Sequence, residues 1–168
     1  LGAGFDEAFL AENKVVHKVC RGTIQLSKDC WLFADFPRIF DFETIPERFV
    51  RGSLPNAKKD DFSDEVCLAV DTSKGIVVIS GCAHPGILNM VTHIYNTLKR
   101  PIYAVLGGTH LVEADGARID KTVKAMKEMG VHIIGFSHCS GEKAECEVKS
   151  DTNVKSCHLG TGDCFAID

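Results

Sequence analysis

The sequence predicts an α/β domain with a mixed sheet and flanking helices, on three observations. Short β-rich stretches alternate with longer stretches whose apolar residues recur at helical spacing. Two of the β-rich stretches, Val66–Val70 and Ile76–Ile79, flank a Gly-containing turn at residues 71–75, which predicts an antiparallel hairpin. The length of 168 residues suits one domain, 1–168, with a sizeable core, and no internal repeat or low-complexity linker divides it.

The first 60 residues carry the weakest pattern. Lys14–Val19 and Trp31–Ala34 have the composition of strands. Residues 36–43 are rich in aromatic side chains and contain Pro37, which breaks strands, so this stretch is expected to be a loop.

The elements after the hairpin are clearer. A helix is expected to begin near Pro85, because apolar residues then recur on one helical face and Pro suits a first turn. Ile102–Leu106 is the next expected strand. Ala117–Met129 is expected to be a helix that Gly130 ends, and Val131–Phe136 another strand. The remaining expectations are a short helix at Gly141–Lys149 and a last strand at Asp163–Ile167.

The composition excludes several classes of protein. The net charge is −4 and the two signs are interspersed, so the basic surface that nucleic-acid binding requires is missing. The apolar stretches are too short to span a bilayer, and no signal peptide is visible, so we expect a cytoplasmic protein that does not interact with membranes. The eight cysteines are then expected to be reduced thiols. The sequence contains no C-x-x-C pair, so it does not suggest a zinc ribbon.

Three expected strands each end in a Gly-rich turn with a histidine. His84 follows Ser80-Gly81-Cys82-Ala83, His110 follows Gly107-Gly108-Thr109, and His138 lies between Ser137 and Cys139-Ser140-Gly141. The carboxyl ends of parallel strands meet at one edge of an α/β sheet, where binding sites are built. Imidazole is the commonest metal ligand, so a metal site is a reasonable hypothesis for this edge. The other four histidines have weaker context and are expected to be structural or exposed: His17, His93, His132 and His158.

The same turns resemble a known family. Ser-Gly-Cys-Ala-His-Pro-Gly-Ile at 80–87 with Asn89, Gly-Gly-Thr-His-Leu at 107–111 and Ser-His-Cys-Ser-Gly at 137–141 are similar to one subgroup of the metallo-β-lactamase superfamily. That subgroup carries the name 7,8-dihydropterin-6-methyl-4-(β-D-ribofuranosyl)aminobenzene 5′-phosphate synthase. Asp64-Glu65-x-x-Leu68 and Pro37-Arg38…Phe42-Glu43 fit the same pattern, so the resemblance covers most of residues 35–141.

The resemblance implies the C-terminal part of an αββα sandwich with a centre of one or two metal ions, which could be Zn, Fe or Mn. It implies that His138 is the last metal-binding histidine and that His84 supplies an earlier ligand. His110, Cys82 and Asn89 are expected to contact the substrate or to support the ligands. Metal-bound hydroxide would be the nucleophile in the hydrolysis of a small, pterin-like or phosphorylated substrate.

The superfamily's main metal motif, His-x-His-x-Asp-His, does not occur in the chain. The chain is therefore expected to be truncated, split or degenerate. Its metal site would need an N-terminal half or another chain, and little activity is expected from these residues alone. Half of such a sandwich would also leave one apolar sheet face open for association.

Two other functions stay open. The chain could be a non-catalytic binding or remnant module that keeps half of the fold. A disulfide-stapled binding domain is a weaker alternative that titration of free thiols would separate. A Ser-His-Asp hydrolase has no support, because no G-x-S-x-G turn is present.

Overall fold

A computed structural model describes residues 4–150 and 153–167. Along the chain its elements are α1 (Glu7–Glu12), β1 (Thr23–Ser27), β2 (Cys30–Phe33), β3 (Val50–Arg51), β4 (Lys58–Lys59), β5 (Cys67–Thr72), β6 (Gly75–Ser80), α2 (Ile87–Leu98), β7 (Ile102–Gly107), α3 (Gly116–Glu128), β8 (Ile133–Phe136), α4 (Glu142–Lys149) and β9 (Lys155–His158). The expected α/β class and mixed sheet are confirmed.

The main sheet has seven strands in the order β1-β2-β5-β6-β7-β8-β9, and β3 and β4 form a separate two-stranded sheet. The first three pairings of the main sheet, from β1 to β6, are antiparallel. The remaining pairings, from β6 to β9, are parallel. The carboxyl ends of β6, β7 and β8 therefore lie side by side, where sequence analysis expected the candidate site.

The sheet buries its two faces unequally. One face carries the main core, in which alternate strand residues such as Ile76, Val78 and Val105 pack against the apolar sides of α2 and α3. Burying such side chains stabilises the fold by roughly 1.5–3 kcal/mol each. The opposite face carries a smaller cluster around Val77, Ala104 and Ile133. On that face Ile79 keeps 40% of its surface exposed.

Two of the strand predictions are wrong. Lys14–Val19 is irregular, and Val16 within it is 90% exposed, because β-rich composition makes no strand without a neighbour to pair with. Asp163–Ile167 is also irregular, and the strand at the sheet edge is β9 instead. The sequence Lys-Ser-Cys-His of β9 lacks an apolar run, so its pairing with β8 could not be seen in the pattern.

Among the described residues, no helix combines the length and the apolar character that crossing a membrane requires.

Candidate metal centre at the ends of three parallel strands

The turns after β6, β7 and β8 are joined by hydrogen bonds into one layer. The Gly108 N–H donates to the Gly81 carbonyl at 3.0 Å, which connects the first two turns. The Thr109 N–H donates to the Ser140 hydroxyl at 3.2 Å, and the Val112 N–H to the Cys139 carbonyl at 3.1 Å. These bonds hold the three turns, and the side chains they carry, in a fixed arrangement.

Gly108 is where the turns approach each other most closely. A Cβ atom at this position would lie 2.9 Å from the Cys139 sulfur and 3.1 Å from the Cys82 Cα, and it would collide with the Gly81 carbonyl. Only glycine leaves the space in which the two cysteines come together.

Each turn also contains a non-glycine residue in the left-handed region. The φ angles are 61° at Ala83, 50° at His110 and 50° at His138. Such conformations are uncommon for side-chain-bearing residues and cluster at functional sites. Three of them at one edge of the sheet mark this edge as the candidate site.

Glu65 holds His84 in place from the segment before β5. Its carboxylate lies 2.6 Å from His84 Nδ1 and accepts the backbone N–H groups of Cys82, Ala83 and His84 at 3.2, 2.6 and 3.2 Å. A carboxylate on Nδ1 leaves Nε2 as the nitrogen free to bind a ligand, an arrangement that metal-binding histidines share.

Aromatic rings surround His84 on its other sides. Its imidazole stacks on Phe62 with ring centroids 3.8 Å apart and planes at 6°. Phe49 contacts it edge-on at 5.5 Å, and the ring of His110 lies 4.6 Å away. Phe49 and Phe62 come from the long segment between β2 and β5, so this segment forms one wall of the site.

The imidazole of His110 is buried without a hydrogen-bond partner in the part of the chain that the structure describes. It is 5% exposed, and neither of its ring nitrogens has a partner among the described residues. Burial first, and then the nearby His84, Arg118 and Arg48, lower the pKa of His110 to about 4, so its ring is neutral at physiological pH. Buried unpaired nitrogens are rare in proteins, and a neutral imidazole is competent to bind a cation or a polar ligand.

Cys82, His138 and Cys139 form a cluster of potential metal ligands. The two sulfurs and a His138 ring nitrogen all lie within 4.8 Å of one another. A set of two thiols and one imidazole matches the ligand types of protein zinc sites, which take three or four such groups. By the chemistry of these donors, the residues present suit a metal ion.

Both thiols are protonated in the absence of a cation. Burial, followed by the proximity of Cys139, raises the pKa of Cys82 to about 12. Burial also raises the pKa of Cys139, although the His110 backbone N–H and the Cys82 thiol act in the opposite direction. A metal ion would displace the protons from such thiols when it binds.

Asn89 supports the site from inside helix α2. Its side chain is fully buried; the amide oxygen accepts the N–H groups of Ile39 and Phe40 at 2.6 and 3.0 Å, and the amide nitrogen donates to the Pro85 carbonyl at 2.8 Å. The buried Glu43 accepts the N–H groups of Leu88 and Asn89 at the start of the same helix. Asn89 therefore positions the turn after β6.

The residues singled out from the sequence lie at this edge in two sets. His84 packs with His110 and Glu65, whereas His138 is grouped with Cys82 and Cys139. Whether His84 and His138 bind one ion stays a prediction. Sequence analysis missed Cys139 as a potential ligand and Glu65 as the partner of His84. The His-Cys pair in the last turn was visible, but its approach to Cys82 depends on the pairing of β6, β7 and β8.

The chain is similar to known proteins over part of their length. No protein-family model matches the chain. It is 48% identical over 87 residues to the 7,8-dihydropterin-6-methyl-4-(β-D-ribofuranosyl)-aminobenzene-5′-phosphate synthase of Methanocaldococcus jannaschii, covering 51% of the chain and 30% of that protein. It is 29% identical over 136 residues to an uncharacterized protein of the same organism, covering 81% of the chain and 50% of that protein.

A crystal structure described as a metal-dependent hydrolase of the β-lactamase superfamily superimposes with a TM-score of 0.79 at 30% identity. The alignment covers 91% of this chain and 58% of that one. The matched part of the chain thus spans between 30% and 58% of the lengths of these proteins. The chain therefore has the metallo-β-lactamase fold over the part that it spans, and its sequence resembles the subgroup that contains the dihydropterin synthase.

Proposed function

We propose that the chain supplies the C-terminal half of the active site of a metallo-β-lactamase-type, metal-dependent hydrolase. The observation that carries the proposal is a cluster of potential ligands from the turns after β6 and β8. The donor atoms of Cys82, His138 and Cys139 all lie within 4.8 Å of one another. Similarity to a metal-dependent hydrolase over 91% of the chain supports it.

Each residue of the site has a proposed task. His138 binds the metal, and His84 presents Nε2 to it while Glu65 fixes the orientation of the ring. The imidazole of His110, which is neutral and has no hydrogen-bond partner among the described residues, is placed to form a hydrogen bond with a polar group of the substrate. A divalent ion bound here would act as a Lewis acid and lower the pKa of water toward ~7, which makes a nucleophile available at neutral pH.

The proposed substrate is small, flat and phosphorylated. The support is the printed name of the relative that is 48% identical, which joins a dihydropterin to an aminobenzene carrying a ribose 5′-phosphate. In this chain Phe49 and Phe62 provide an apolar wall beside His84 and His110, against which a flat ring can pack.

The site is proposed to be completed by a segment that carries the His-x-His-x-Asp-His motif, from an N-terminal half or another chain. The sheet face opposite the main core gives such a segment a docking surface, because Val70 and Leu106 are only half-buried there and Ile79 is exposed. Burying these side chains would stabilise the assembled form by the hydrophobic effect.

The proposal predicts that His138→Ala lowers zinc affinity by at least about tenfold, as loss of one ligand or supporting group does. His132→Ala is the matched control, because His132 is exposed at the other end of the same strand. Zinc affinity is measured by competition with a chromophoric chelator on the reduced chain. Equal affinities for the two variants would contradict the proposal.

Activity is tested on the chain after addition of the motif-bearing segment, encoded upstream in the gene or by a partner. Zinc-dependent hydrolysis of a phosphodiester or lactone probe that His138→Ala abolishes is the expected result. A motif-bearing assembly that binds zinc without hydrolysing any such probe would favour the alternative of a non-catalytic binding module.

A further inference from the structure

We propose that Cys82 and Cys139 are themselves metal ligands, so that with His138 they make this centre a thiolate-containing zinc site. This inference rests on the proposed metal-dependent function and names the chemistry of the ligands that the function would use. It changes the expectation drawn from the sequence, in which Cys82 contacts the substrate or supports the ligands and the metal ligands are His84 and His138.

The positions of the two sulfurs carry the proposal. Cys82 lies in the turn after β6 and Cys139 in the turn after β8, 57 residues apart in sequence, yet their sulfurs and a His138 nitrogen lie within 4.8 Å of one another. Two sulfurs bound to one tetrahedral zinc at ~2.3 Å each lie ~3.8 Å apart, so the two sulfurs need to approach each other by no more than about 1 Å to hold an ion.

Neighbouring residues leave room for the two sulfurs to lie close together. Gly108 lies between the two cysteines, and any side chain there would press on the Cys139 sulfur and the Cys82 backbone. The Cys139 thiol donates to the Cys82 carbonyl at 3.4 Å, so the two cysteines are already in direct contact.

The ligand count and type then select the metal. Two thiolates and the imidazole of His138 provide three of the four ligands of a tetrahedral zinc, and the fourth position is left for His84 Nε2 or for water. Thiolates are soft ligands and favour zinc over manganese, which prefers carboxylate and water oxygens. The chain alone is therefore expected to bind one zinc ion.

The test is zinc-edge X-ray absorption on the reduced chain loaded with one equivalent of zinc. The expected spectrum contains sulfur neighbours at ~2.3 Å together with nitrogen or oxygen neighbours at ~2.0–2.1 Å. Cys82→Ser and Cys139→Ser are each expected to remove one sulfur neighbour and to weaken zinc binding by at least about tenfold. Cys146→Ser is the control, because Cys146 is exposed on α4.

The wild-type spectrum decides the outcome even if a serine variant fails to fold. Bound zinc with only nitrogen and oxygen neighbours would overturn the thiolate assignment and leave the proposed function standing. Sulfur neighbours that persist in both serine variants and disappear in Cys146→Ser would also overturn it. A chain that binds no zinc on its own would overturn the thiolate assignment, whereas the proposed function is contradicted only if the assembly with the motif-bearing segment also binds none.

Discussion

At the scale of single residues, the site depends on Glu65. One carboxylate accepts three backbone N–H groups of the turn at 82–84 and also lies 2.6 Å from His84 Nδ1. The side chain is only 9% exposed, so water does not replace these bonds when they are lost. Glu65 thereby fixes both the backbone conformation of the turn and the orientation of the His84 imidazole.

We expect Glu65→Gln to lower the free energy of unfolding by about 1–3 kcal/mol, because a neutral amide replaces a charged acceptor of several hydrogen bonds. Zinc affinity should fall by ~10–100-fold, since the ring of His84 loses its support. Urea unfolding and chelator competition measure the two effects. Glu12→Gln, the same change at an exposed position of α1, is the control and should alter neither.

An unchanged zinc affinity in a Glu65→Gln protein that stays folded would show that His84 is not a ligand. The role of Glu65 was hidden from sequence reasoning. The residue belongs to a recognisable motif before the hairpin, but only the antiparallel pairing of β5 with β6 brings it to the turn 17–19 residues later.

At the scale of elements, helix α2 anchors two irregular segments. Asn89, in its first turn, bonds residues 39 and 40 on one side and Pro85 on the other. Glu43 from the same irregular segment accepts two N–H groups at the helix start. The helix therefore fixes both the turn that carries His84 and the loop that precedes Phe49, one of the two aromatic residues beside His84.

Asn89→Ala is expected to reduce the free energy of unfolding by about 2–4 kcal/mol, because two part-buried backbone N–H groups lose their acceptor at ~1–2 kcal/mol each, the lower part of the range for unsatisfied donors. Asn96→Ala on the same helix is exposed and should change stability by less than about 0.5 kcal/mol. Urea denaturation of both variants provides the comparison. Equal stabilities would mean that the loop at 39–40 does not depend on Asn89.

Elements whose apolar residues recur at regular spacing were predictable from the sequence. Elements that depend on pairing with a neighbouring strand were not. α2 and α3 present one apolar side to the core, so their pattern alone indicated them. β1 is largely exposed and depends on pairing with β2, and β9 depends on pairing with β8. The strand-end histidines were found because Gly-rich turns punctuate buried strands, whereas the Cys82–Cys139 approach follows from sheet order.

At the scale of the whole molecule, the fold explains why the site lies at one edge. β6, β7 and β8 are adjacent and parallel, so three turns far apart in sequence share one surface. The second sheet face, with its smaller cluster, is the surface on which a completing segment is proposed to pack. Among the described residues, Cys82 and Cys139 form no disulfide.

The most direct test of this account is an anomalous-diffraction map at the zinc edge from crystals of the zinc-loaded chain. The account predicts a peak at the carboxyl ends of β6, β7 and β8, within bonding distance of His138, with His84 on the same side of the sheet. A peak elsewhere on the molecule, or the imidazoles of His84 and His138 on opposite faces of the sheet, would contradict it.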